Sequence, residues 1–120
     1  MKLLKAFVRM SRADEIVRAL ERGHAAGITI SRVHGVGYGY DAFSFTLSPS
    51  EVHKTPEVAK IEVVCDDDAS DRLVRCIVEA GRTGSQGDGI VFVENVERAV
   101  KIRTGAEGLE AIKTEKESVS

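Results

Sequence analysis

Polar and apolar residues alternate along positions 2–9: Leu4, Ala6 and Val8 fall on one side of an extended chain, Lys5 and Arg9 on the other. A period of two predicts a strand with one buried face. Ser11 follows, with Asp14 three residues on, a spacing that resembles a capping box and predicts a helix start. Ala13, Ile16, Val17 and Leu20 then form an apolar stripe at helical spacing, and Gly23 and Gly27 end the element. Over 28–36 the period returns to two, with Ile28 and Ile30 opposite Thr29 and Val33, until Gly35, Gly37 and Gly39 interrupt it. Residues 38–57 have no settled period. Residues 58–65 form the clearest strand pattern in the chain. Asp67 or Asp68 is expected to cap a second helix carrying Leu73, Val74, Ile77 and Val78, closed by Gly81. A glycine-rich stretch, residues 82–89, leads into a short apolar strand, Ile90–Val93. Hydrophobicity falls after 104, and 113–120 reads as a polar tail.

The predicted order is strand, helix, strand, strand, helix, strand. This is an α+β, ferredoxin-like βαββαβ arrangement, an antiparallel sheet with two helices on one face. The other face would leave Phe7, Val33 and Val91 wet, so a homo-oligomer packed sheet against sheet is expected.

Composition narrows the function. At 120 residues the chain suits one domain, assigned to 1–112 with the tail 113–120 beyond it. With 42% hydrophobic and 30% charged residues it reads as globular. A net charge of −2 without a basic run argues against nucleic acid, and the apolar stretches are too short for membrane insertion. Met1–Ala6 carries no small-residue cleavage site, so no signal peptide is expected. Cys65 and Cys76 show neither disulfide nor zinc spacing and suit buried thiols in a cytoplasmic protein. The three histidines lack ligand spacing, so no metal site is expected. No nucleophile–base spacing is legible, so the chain reads as a non-enzyme.

Three segments carry candidate chemistry. In His34-Gly35-Val36-Gly37-Tyr38-Gly39, glycine at every second position lets backbone approach a ligand, yet the same pattern suits a hairpin bend. Thr83-Gly84-Ser85-Gln86-Gly87-Asp88-Gly89 can aim consecutive N–H groups at phosphate, or simply turn into the next strand. It lacks the Gly-Lys-Ser/Thr ending of a P-loop. In Lys101-Ile102-Arg103, alternation would place both cations on one strand face, suited to a polyphosphate or to solvent.

Taken together, these residues resemble the PII signal-transduction proteins, the nitrogen regulators. The resemblance rests on Thr83-Gly84, Gly87-Asp88-Gly89, Phe92-Val93 and Ile102-Arg103-Thr104-Gly105, with the strand 58–64 and Gly35-Val36-Gly37. It runs without a gap from Met1 to about Ile112. It implies a homotrimer holding ATP or ADP, or AMP, in each cleft between subunits. By position, Gly35, Val36, Gly37, Thr29, Glu62 and Val64 would line the adenosine. Gly87, Asp88 and Gly89, with Lys101 and Arg103, would hold the phosphates, and Thr83 and Gly84 would belong to the same nucleotide site. Residues 37–55 would be the family's T-loop, which docks on a target protein such as a membrane transporter or an enzyme.

The chain also departs from the family pattern. Gly39 replaces the glutamine that ligates the magnesium bridging ATP and 2-oxoglutarate, which leaves a role for magnesium open. Val58 replaces the lysine that pairs with the oxoacid, Ile90 a phosphate-binding lysine, and Glu51 the modifiable tyrosine. Three lost polar contacts at about 1.5–3 kcal/mol each argue against 2-oxoglutarate sensing, and Glu51 excludes uridylylation at that position. Four of the six aromatic residues, Tyr38, Tyr40, Phe43 and Phe45, lie in the T-loop segment with Leu47 and Glu51, a composition suited to a partner surface. An accessory of a metal or anion transport system is the alternative function.

Overall fold

Strand β1 (Lys2–Arg9) adopts the conformation its alternation demands, with Leu4, Ala6 and Val8 buried. The computed structural model describes residues 1–35 and 57–113. Helix α1 (Ala13–Arg22), strands β2 (Thr29–His34) and β3 (Glu57–Cys65), helix α2 (Asp67–Gly81), strand β4 (Gly89–Asn95) and the one-turn helix α3 (Leu109–Ile112) complete the described elements. The sheet order is β2-β3-β1-β4, and each pairing is antiparallel. This is the expected ferredoxin-like βαββαβ fold.

The core lies between the helices and one sheet face. Ile16 and Leu20 of α1 and Leu73 and Ile77 of α2 pack on Leu4, Ala6, Ala59, Ile61 and Val63. Arg12 ties the helices together: its Nε and Nη2 donate to the Ala80 carbonyl at 2.9 and 2.6 Å, near the C-terminus of α2. That carbonyl belongs to a helix end that lacks intrahelical donors.

The cap positions differ from expectation. A 3₁₀ turn, Met10–Arg12, intervenes after β1, so α1 begins at Ala13 and Ser11 caps nothing. The tight turn absorbs the residues that would have formed the capping box. For α2 the cap is Asp66, one residue earlier than predicted; its Oδ1 accepts the Ala69 N–H at 2.8 Å. Asp67 and Asp68 instead occupy the first turn, where carboxylates favour the helix dipole. Asp66→Ala is expected to cost about 1 kcal/mol, read as a lower denaturation midpoint.

The open sheet face also differs in one residue. Val91 pairs with Ala6 and packs against the core, so it lies on the helix side. The open face instead carries Phe7 and Phe92, whose rings meet edge to face at 6.2 Å, with Ile90 and the pair Val33–Val58.

Lys101-Ile102-Arg103 is not a strand. Residues 101–104 form a turn closed by the Gly105 N–H donating to the Lys101 carbonyl at 2.8 Å. An isolated bridge, Val100–Glu107, flanks it. The turn breaks the alternation that would have put both cations on one face.

Candidate nucleotide site

Residues 82–89 connect α2 to β4, and Asp88 organises them. Its Oδ2 accepts the N–H groups of Thr83 at 2.8 Å and Gly84 at 2.9 Å. Its Oδ1 accepts the Thr83 hydroxyl at 2.5 Å and Arg9 Nε at 3.0 Å. The Thr83 Oγ1 in turn accepts the Ser85 N–H at 3.2 Å. The Thr83 hydroxyl, the Thr83 N–H and the Arg9 guanidinium hold the Asp88 carboxyl far below the usual carboxylate range. Arg9 reaches further along the loop, donating from Nη2 to the Gln86 carbonyl at 2.5 Å.

Two glycines permit this path. Gly87 has φ +103°, and a side chain there would meet Arg9 Nη2 at 3.0 Å. Gly89 has φ +98° and lies so close to β1 that a Cβ would fall 1.8 Å from the Phe7 carbonyl oxygen. These requirements belong to the loop's own geometry. Thr83, Gly84 and Asp88, expected to face phosphate, are thus bonded to one another, with Asp88 as an internal brace.

Gly35 lies at the same end of the molecule. It follows His34, which pairs with Glu57 next to the Arg9–Val58 pairing. The other expected residues lie toward the opposite end. Thr29 pairs with Glu62 and Leu3 with Val64. With Gly27 and Ile112, these four line an open pocket of about 350 Å³. Lys101 is on that side too: its Nζ donates to the Lys113 carbonyl at 3.1 Å. Lys113 in turn lines a cavity with Cys65 and Asp66, just past the Cys65–Lys2 pairing. Arg103 occupies the same turn as Lys101.

Glu62 pairs with Lys5 midway along the sheet, but the Lys101 turn is separated from the glycine loop by the length of β4, which runs from opposite Val8 to opposite Lys2. Six residues at about 3.3 Å each make that about 20 Å. A single subunit therefore does not bring its glycine loop to its own Lys101 turn. Two copies, one offering each end, could form a continuous site.

Val36, Gly37, Tyr38, Tyr40, Phe43, Phe45, Leu47 and Glu51 lie outside the described residues. Among the described residues, no three histidine, cysteine, aspartate or glutamate groups cluster as a metal site would require. Burial pushes the Cys65 thiol up in pKa, as suits a structural cysteine. Sequence reasoning missed Arg9. Its position on the polar face of β1 was legible, but its partner lies 79 residues away in sequence.

A family model described as nitrogen regulatory protein P-II matches residues 1–106. The nitrogen regulatory protein P-II of Bradyrhizobium diazoefficiens is 35% identical over 112 residues, covering 93% of this chain and all of that protein. Its counterpart from Mesorhizobium japonicum shows the same identity and coverage. That of Nostoc punctiforme is 34% identical over the same length.

Proposed function

The chain belongs to the nitrogen regulatory protein P-II family, and from that premise we propose that it binds an adenine nucleotide in a cleft shared by two subunits of a homotrimer. Members of the family are regulators acting on target proteins, not enzymes. The observation that carries the proposal is that one subunit holds its glycine loop and its Lys101 turn at opposite ends of the sheet. One end supplies Gly35 and the glycine loop. The other supplies Lys101 and Arg103, with Val64, Glu62 and Thr29 between it and the middle of the sheet. A ring of copies contacting head to tail would join unlike ends at every interface.

The output would pass through residues 37–55 to a target protein, with nucleotide shifting the population of docking-competent loops. The effector would not be 2-oxoglutarate. Val58 is apolar and buried, 5% exposed, where the oxoacid would need a cation. Ile90 sits beside Phe7 rather than offering charge to a phosphate. Gly39 offers no magnesium ligand.

Titration calorimetry with ATP, ADP and AMP, each with and without 2-oxoglutarate, tests this. Heat is expected with at least one nucleotide, unchanged by the oxoacid. Arg103→Ala should remove that heat and leave the oligomeric state unaltered. Absence of heat with all three nucleotides would dismiss the reading.

A further inference from the structure

The glycine loop contains an electrostatic contradiction if it receives phosphate. Asp88 braces the loop through Thr83 and Gly84, and those bonds favour its ionised form. A carboxylate there repels any polyanion laid on the loop. Position 90, at the start of β4, is isoleucine and offers no compensating charge. Arg9 answers this from another element. Its Nε meets Asp88 Oδ1 at 3.0 Å, its Nη2 holds the Gln86 carbonyl, and its guanidinium lies across the bare backbone of Gly87. The Arg9 and Asp88 side chains are only 32% and 25% exposed, so solvent screens the pair incompletely.

Resting on the nucleotide reading above, we infer that Arg9 is the counter-charge that lets the glycine loop accept phosphate, and hence a positioning residue that sets how strongly affinity depends on phosphate number. Without it, the Asp88 charge stands uncompensated beside the ligand. The loss should then grow with the charge of the ligand and vanish for an uncharged one. Damage to loop shape alone would weaken all ligands alike.

The test is calorimetric titration of adenosine, AMP, ADP and ATP against the full chain and four variants, with assembly checked by light scattering. Arg9→Ala is expected to weaken ATP about tenfold, ADP and AMP progressively less, and adenosine not at all. Arg9→Gln keeps a donor without the charge, should behave like Arg9→Ala, and replaces it if that variant fails to assemble. Arg9→Lys should retain most of the affinity for ATP. Adding Asp88→Asn to Arg9→Ala should restore ATP binding, since the amide keeps an oxygen for Thr83 and Gly84 and drops the charge. An equal loss for all four ligands, or no loss, overturns the inference while leaving the nucleotide reading intact. If the unaltered chain binds none of the four, the nucleotide reading itself fails and the inference goes with it.

Discussion

Replacing Gly89 with alanine is expected to destabilise the fold by about 3 kcal/mol or more, because two independent penalties fall on one Cβ. The residue has φ +98°, a region L residues rarely occupy. The new Cβ would lie 1.8 Å from the Phe7 carbonyl oxygen and 3.2 Å from Val8 Cα. Those atoms belong to the backbone of a central strand, so no rotamer change relieves the clash. Gly84 supplies the comparison. Its φ is +86°, but nothing lies within 4 Å of an added Cβ. Gly84→Ala should therefore cost only about 1 kcal/mol, the backbone share alone. Thermal melting at fixed subunit concentration separates the two. Equal losses would mean that β4 does not approach β1 as closely as described.

The second large effect is expected from Leu4→Ala. Leu4 is fully buried on the central strand, flanked by Val63 on β3 and Val93 on β4. Truncation removes apolar burial and leaves a cavity beneath two helices, at a cost of about 2–5 kcal/mol. Urea unfolding at constant protein concentration should show it as a lower midpoint with little change in slope. A loss below about 1 kcal/mol would place Leu4 outside the core.

Such contrasts also explain what the sequence made legible. β1 and β3 were plain because every second residue, Leu4, Ala6 and Val8 on one and Ala59, Ile61 and Val63 on the other, is apolar and faces the core. The helix stripes were plain because Ile16, Leu20, Leu73 and Ile77 recur at helical spacing and meet in one core. Caps were less legible. Several acidic residues stand in a row before α2, and only the chain path decides that Asp66 accepts the Ala69 N–H. The face of Val91 is not legible, because a run of apolar residues has no parity of its own. Its partner Ala6 settles it. The cations at 101 and 103 alternate as strand residues would, but alternation over three positions also occurs in a turn.

The site was legible in its residue types and not in its arrangement. Glycine spacing and the nearby cations pointed to phosphate. Nothing local could show that Asp88 is consumed as a brace, or that Arg9 crosses from β1 to meet it. Nor could sequence show that one subunit sets its glycine loop and its Lys101 turn about 20 Å apart, a distance fixed by β4 and about 3.3 Å per residue. That separation is what turns a list of ligand residues into a claim about assembly.

Mixing two damaged chains tests that claim most directly. Gly87→Asp places a carboxylate in the glycine loop, and Arg103→Ala removes a cation from the other end. Each variant alone is expected to bind no nucleotide by calorimetry. Co-assembled, they should regain it, because an interface joining the sound loop of one chain to the sound Arg103 of the other is intact. Mixed assemblies that bind no more nucleotide than either variant alone would contradict a site shared between subunits.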